Sequence, residues 1–188
     1  MLKIAEFRKY VIIAGFSKAK IKDRDKFLQS INQTKEAAVE IQFFDARLIA
    51  TWEHLYFAAL NALTAFRNND NISKSLAMEI MLYASTHRQI RKATELAGIK
   101  TTTVDVAVLV IGDKKENVES ALPMIQKSLD AQRDDKVLEI TKGKMTSIKK
   151  TFRISDLELD TVRNRGEGEE RVLTSLVIER MALLATQH

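Results

Sequence analysis

The sequence has no cysteine, one proline and six glycines among its 188 residues. The lack of cysteine excludes disulfides, thiolate metal sites and cysteine nucleophiles together. The scarcity of proline and glycine, with no serine-rich repeats, argues against a long flexible linker. We therefore expect a single domain over residues 1–188.

Long apolar runs are also missing. No stretch approaches 18 uncharged apolar residues, and residues 1–9 carry charges where a signal peptide would need to be apolar. We expect a cytoplasmic protein with no membrane partner.

Common catalytic and nucleotide-binding motifs do not occur: there is no phosphate-binding G-x-x-x-x-G-K-[ST], no G-x-G-x-x-G, no H-E-x-x-H and no G-x-S-x-G. His54 and His188 have no metal ligand or nucleophile at a suitable spacing, which favours surface or packing roles for both. The sequence thus predicts a protein that is not an enzyme and holds no metal or cofactor. Paired carboxylates leave no motif, so an enzymatic alternative stays open.

The chain is 45% hydrophobic and has a net charge of +5, which allows a full hydrophobic core and a polyanionic partner. Its periodicity predicts an α/β fold of mixed α+β type, with a small mixed sheet of about four strands surrounded by seven or eight helices. The predicted strands are 10–16, 39–44, 104–111 and 137–140. The main predicted helices are 23–34, 51–67, 76–84, 87–97, 114–129, 145–154 and 169–185. Residues 156–168 are predicted to be an irregular charged connection.

The junction between the helices at 76–84 and 87–97 has an unusual charge pattern. Thr86-x-x-Gln89 matches a capping box, which predicts that the second helix begins at His87. Its first turn would then contain cations and no acid, against the helix dipole. One interpretation is an anion site, in which backbone N–H groups, Arg88 and a neighbouring Lys92 or Arg91 bind a phosphate. The other is that Arg88 pairs with a carboxylate such as Glu79.

A second basic segment, residues 141–155, contains five cations and no acid before Asp156. Such charge runs are usually solvated faces. If the segment lay beside the first site, the two would follow a nucleic-acid backbone. The sequence leaves both interpretations open.

The final helix carries apolar residues over more than the ~100° face that one core contact requires. The excess predicts a further covering surface. That surface could be the chain's own first strands, a second copy of the protein, or a different protein.

A set of residues in these helices follows a recognisable spacing, together with the order of the predicted elements. The residues are Ser73, Met78, Glu79, Ile80, Ala84, Ser85, Arg88, Gln89, Ile90, Ala93 and Gly98, with Glu170-Arg171-Val172-Leu173 near the end. With this pattern the chain resembles a known family, the small kinase-associated, tRNA-recruiting regulatory subunit of the KEOPS/EKC complex (the p53-related-protein-kinase-binding protein family). The resemblance extends from about residue 10 to residue 184.

The resemblance implies a non-catalytic subunit of the complex that makes threonylcarbamoyladenosine in tRNA. Such a subunit binds the tRNA 3′ CCA end, and it docks on and stimulates a small atypical protein kinase/ATPase. The threonylcarbamoyl transferase subunit would be an indirect partner in the same complex.

Carried over by position, the resemblance implies a CCA-end site at Ser85, Arg88, Gln89 and Ile90. Arg91 and Lys92 are added because of their charge. The surplus apolar residues supply candidates for kinase docking. These candidates are Met78, Leu82, Leu173, Val177 and Met181.

Two other functional classes remain as alternatives. One is a small-molecule-binding or enzymatic α/β domain with an anion pocket around Arg88, using Glu79 and His87. The other is a homo-oligomer joined through the final helix.

Overall fold

The computed structural model describes residues 1–34, 38–163 and 166–184. The helices are α1 Arg24–Thr34, α2 Trp52–Asn68, α3 Leu76–Ser85, α4 Ile90–Ala97, α5 Lys115–Leu129, α6 Lys142–Phe152, α7 Asp156–Val162 and α8 Glu169–Leu184. The strands are β1 Leu2–Ile4, β2 Lys9–Ser17, β3 Val39–Asp45, β4 Val106–Gly112 and β5 Gln132–Arg133. The chain divides into two compact units, one formed by Met1–Ala46 and Gly98–Val137, the other by Arg47–Ala97 and Leu138–His188.

The first unit is built on an antiparallel sheet with the order β1-β2-β4-β3, in which β5 also pairs with β2. Every residue of β4 is buried, as expected for the apolar run VAVLVIG at the centre of a sheet. Buried side chains of α1 and α5, including Ile31, Val118 and Ile125, belong to the same core cluster as the strands. The predicted mixed α+β class is confirmed, and the five strands of the described residues are antiparallel.

The strand predicted at residues 137–140 is wrong. Asp135–Leu138 is a short 3-10 helix, and the short strand beside β2 is β5. The cause is a turn that folds onto Gly15: Asp134 N–H donates to the Gly15 carbonyl at 2.9 Å, and Gly15 N–H donates to Asp135 Oδ1 at 2.9 Å. The Asp135 carboxylate thus accepts the hydrogen bond from Gly15 N–H that a backbone carbonyl of a longer strand would have accepted.

The prediction of an irregular connection over 156–168 is also wrong in its first half, where α7 forms. Ser155 is its N-cap and accepts a hydrogen bond from Glu158 N–H at 3.1 Å. Leu159 is buried in the core of the second unit. A capping residue and one buried leucine are therefore enough to order this charged segment as a helix.

The core of the second unit surrounds α8. Helices α2, α3, α6 and α7 all pack against α8. Leu173, Leu176 and Val177 are buried together with Ile148 and Phe152 of α6. Within the second unit, the chain's own helices therefore cover most of the apolar surface of α8, whereas Leu183 is 45% exposed and Ile178 is half-buried.

Helix α3 is apolar on nearly all sides and is held at both ends by buried polar side chains. Near its start, the Glu79 carboxylate accepts hydrogen bonds from the N–H groups of Ile72 and Ser73, the latter at 2.7 Å. Near its end, His54 Nε2–H donates to the Ala84 carbonyl at 2.9 Å. These bonds satisfy backbone groups that burial would otherwise leave without partners.

His54 is fully buried within the second unit. Its Nδ1 accepts a hydrogen bond from Ala50 N–H at 3.2 Å, so the proton lies on Nε2 and the ring is neutral. Burial lowers the pKa of His54 to about 4, and the hydrogen bond to Ala84 opposes this shift only in part. Of the surface and packing roles left open for His54, the structure shows the packing role.

Among the described residues, no helix has both the length and the apolar character that crossing a bilayer would require.

Gly15→Ala is predicted to destabilise the fold. An added Cβ would lie 2.4 Å from the Asp134 carbonyl oxygen and 2.5 Å from Val137 Cγ2, so the turn must move. We expect a loss of about 2 kcal/mol in the free energy of unfolding, measured by urea denaturation. Gly143→Ala is the matched control, because nothing lies within 4 Å of its added Cβ. An equal loss in both variants would contradict this account.

His54 is predicted to make stability depend on pH. Its pKa is about 4 in the folded protein and near 6.5 when unfolded, so the unfolded state binds more protons between these values. The stabilisation is complete above pH 6.5 and is lost as the pH falls towards 4, by about 3 kcal/mol. The measurement is urea denaturation between pH 7 and pH 4. His54→Gln should be less stable at pH 7 but should lose less on acidification, and an unchanged pH profile would refute the assignment.

Candidate nucleic-acid interface

The loop between α3 and α4 begins with a left-handed residue. Thr86 has φ 56°, its N–H donates to the Tyr83 carbonyl at 3.0 Å, and the next N–H, of His87, donates to the Leu82 carbonyl at 3.1 Å. This pair of bonds is a Schellman motif, which ends α3. Since Thr86 closes one helix, it cannot cap the next, and the predicted capping box is wrong. Helix α4 begins at Ile90, three residues later than predicted.

The cations of the junction are therefore divided between the loop and the helix. His87 and Arg88 lie in the loop, whereas Arg91 and Lys92 lie in the first turn of α4, which has no acid. Arg91 Nε lies 3.1 Å from Glu95 Oε1 one turn later. The described first turn still combines positive side chains with the positive end of a helix dipole, the arrangement expected of an anion site.

Five consecutive side chains of the predicted site are exposed. Ile90 is 46% exposed, an unusual position for isoleucine. The exposed residues are Arg88, Gln89, Ile90, Arg91 and Lys92. The structure thus brings these five predicted residues together on one loop and helix start.

Ser85, the sixth predicted residue, is placed differently. It is fully buried, and its hydroxyl donates to the Leu82 carbonyl at 3.1 Å. Its own carbonyl accepts a hydrogen bond from His87 Nδ1–H at 2.6 Å. Ser85 therefore lies beneath the loop and orients His87, while its side chain faces the interior.

Beside Arg88 lies a polar pocket of about 130 Å³. Its walls come from α2, the loop after α2, and Tyr83 of α3. Burial raises the pKa of Tyr83, the charge of Glu79 acts in the same direction, and the positive charge of Arg88 opposes both. The lining residues are Asn61, Thr64, Ala65, Asn68, Asp70, Ile72, Tyr83 and Arg88.

A larger groove of about 480 Å³, which we call the basic groove, also borders the loop. Its lining residues are Thr86, His87, Leu96, Thr151, Phe152, Arg153 and Arg180. The carboxyl end of the basic segment 141–155 is therefore next to the loop. This is the adjacency on which the nucleic-acid interpretation of that segment depended. Arg180 was missed in the sequence because it lies within the largely apolar α8.

The small-molecule alternative required Glu79, Arg88 and His87 in one pocket. His87 and Arg88 line different cavities, and the Glu79 carboxylate is buried with its oxygens bound to backbone N–H groups. The structure does not assemble this constellation.

The residues suggested for kinase docking lie mostly in the interior. Met78 is half-buried. The other four are fully buried, so these side chains are not available to a partner at the surface. They are Leu82, Leu173, Val177 and Met181. An apolar stripe in the sequence does not distinguish a docking face from a core, and here the chain's own helices cover it.

Exposed apolar side chains occur instead on another face of the second unit. Trp52 and Phe57 of α2 are 45% and 37% exposed. Phe57 lines a groove of about 320 Å³ with Ile178 of α8, which we call the α2–α8 groove. The sequence signal for this surface was two aromatic residues outside the buried stripe of α2.

A family model described as "Kinase binding protein CGI-121" matches residues 18–185. "Regulatory protein Cgi121" of Methanocaldococcus jannaschii is 29% identical over 147 residues, which cover 78% of this chain and 88% of that protein. "EKC/KEOPS complex subunit CGI121" of Candida glabrata is 32% identical over 100 residues, which cover 53% of this chain and 56% of that protein. These matches confirm the resemblance found in the sequence. Since the family model spans most of its length, the chain belongs to the CGI-121 family of kinase binding proteins.

Proposed function

We propose that this chain is a non-catalytic regulatory subunit of a KEOPS complex. It binds the 3′ CCA end of tRNA, and it docks on and stimulates the small atypical kinase/ATPase. The threonylcarbamoyl transferase subunit is then an indirect partner. The descriptions of the family and of the relatives support the complex and the kinase, and the exposed run Arg88–Lys92 is the observation that carries the tRNA role.

The chemistry of a CCA end fits this exposed run. A single strand offers phosphates, a terminal ribose and unstacked bases whose edges and faces are accessible. The Arg88 guanidinium can take a phosphate, the Gln89 amide can bind a base or ribose edge, and Ile90 supplies an apolar contact. The first-turn N–H groups of α4, with Arg91 and Lys92, add positive potential. Ser85 contributes from below by orienting His87.

For the kinase/ATPase we propose the α2–α8 groove with the exposed Trp52 and Phe57. Exposed aromatic residues beside a groove are the groups that anchor protein interfaces. Glu53 and Arg171 also line the groove and give it charges of both signs. The α2–α8 groove and the loop at 86–89 share no residues, so one chain can bind tRNA and the kinase at the same time.

Arg88→Glu is predicted to weaken tRNA binding at least tenfold, about 1.4 kcal/mol, because a phosphate ligand is replaced by a repelling charge. Filter binding at fixed salt measures the effect, and thermal unfolding checks that the fold is kept. Lys115→Glu is the control, since it makes the same change of net charge at an exposed position of α5. Equal weakening in both variants would mean that only total charge matters.

Removal of the terminal CCA from tRNA is predicted to abolish most binding to the unchanged protein. The loss should match the loss caused by Arg88→Glu, and the two changes should not add, because they remove the same contact. Equal binding of full-length and trimmed tRNA would refute the proposed site.

Phe57→Asp is predicted to weaken kinase binding at least tenfold in a pull-down or by calorimetry, because a charge would be buried at the interface. Leu157→Asp is the matched control, since Leu157 is 77% exposed on α7 and does not line the α2–α8 groove. An unchanged affinity of Phe57→Asp with the folded protein intact would place docking elsewhere.

A further inference from the structure

We infer that the basic groove binds phosphate groups of the tRNA strand outside the CCA end, so that the RNA crosses the loop at 86–89. The inference rests on the proposed tRNA function but concerns a separate surface. It assigns a role to His87, Arg153 and Arg180, none of which is among the matched motif residues Ser85, Arg88, Gln89 and Ile90.

The first support is the charge of the groove. Three basic side chains come from three different elements: His87 from the loop, Arg153 from the end of α6, and Arg180 from α8. The other lining residues are uncharged, with hydroxyls from Thr86 and Thr151. Arginine guanidinium groups and hydroxyls are common ligands of phosphate oxygens in nucleic-acid interfaces.

The second support is that two of these side chains are held in position. His87 donates through Nδ1–H to the Ser85 carbonyl at 2.6 Å, which fixes the ring and leaves Nε2 as its other polar atom. Arg180 Nη2 donates to Glu158 Oε1. A guanidinium has five N–H donors, so one carboxylate contact orients it without using them all. Groups oriented in advance lose less freedom when a ligand binds.

The third support is continuity with the exposed run at 88–92. His87 and Arg88 are consecutive, and they line two different cavities that both border the loop. A strand whose end is bound at Arg88 and Ile90 is therefore adjacent in the chain to a lining residue of the basic groove. Lys150, exposed on α6 three residues before Arg153, extends the positive surface in the same element. An extended polyanion fits such a row of cations better than a small anion does.

Arg153 offers a variant that removes the charge without straining the fold. It has φ 54° at the end of α6, a conformation that glycine adopts without a steric penalty. Arg153→Gly should therefore keep or raise the melting temperature. Arg8→Gly is the matched control, because Arg8 is also exposed, has φ 53° and closes a short helix, but does not line the groove. Arg153→Asn is a second variant, since asparagine also tolerates this region.

The experiment measures the affinity of the full chain for full-length tRNA and for tRNA lacking the CCA, at about 50 mM salt where phosphate contacts are strongest. We expect Arg153→Gly to weaken binding of both RNAs by the same factor, roughly three- to tenfold. The magnitude of the slope of log affinity against log salt should fall by about 1, the change expected when one phosphate contact is lost. Arg8→Gly should leave affinity and slope unchanged.

Other results for Arg153→Gly would overturn the inference. A loss confined to full-length tRNA would make the basic groove part of the CCA-end site. No loss with either RNA, or an equal loss in Arg8→Gly, would remove the groove from RNA binding. If the unchanged protein bound both RNAs equally, the CCA proposal would fail, while the effect of Arg153→Gly would still decide the groove.

Discussion

The burial of α3 on nearly all sides is the constraint on which the candidate site depends. A helix of the composition LAMEIMLYAS has no face for water, so it lies within the second unit and its polar groups must find partners there. Glu79 supplies acceptors to the turn before the helix, and His54 supplies a donor to the carbonyl of Ala84. The helix is thereby fixed at both ends, and so is the point at which the chain leaves it.

The point at which α3 ends determines where the residues of the following loop lie. The Schellman motif at Thr86 reverses the chain within two residues, and α4 then begins at Ile90. Arg88 and Gln89 therefore lie on an exposed loop supported by buried structure, and Ile90 is exposed immediately beside them. Binding side chains on a loop held by a rigid scaffold are a common arrangement for recognition. The same loop lines two cavities, the polar pocket through Arg88 and the basic groove through Thr86 and His87.

Membership of the CGI-121 family and the geometry of the second unit are consistent with one another. The family is described as kinase binding, and a relative is a subunit of the EKC/KEOPS complex. The second unit exposes two aromatic residues, Trp52 and Phe57, and separately an exposed run with three cations at residues 88–92. These two chemically different surfaces are the ones assigned to the proposed kinase and tRNA partners. The apolar stripe of α8 serves neither, because Leu173 and Val177 are buried in the core.

The sequence by itself determined the class of fold, most helices and strands, the family, and the cluster of charge after α3. Periodicity and local charge are properties of neighbouring residues, so they can be read without coordinates. Tertiary structure decided the rest. The strand expected at 137–140 became a turn because Asp135 binds the Gly15 N–H from far along the chain, and Thr86 ended one helix instead of starting another. Whether an apolar face is core or surface depends on which helices cover it, and whether Arg153 lies beside His87 depends on how α6 returns to the loop. Both are long-range packing outcomes, which local patterns do not encode.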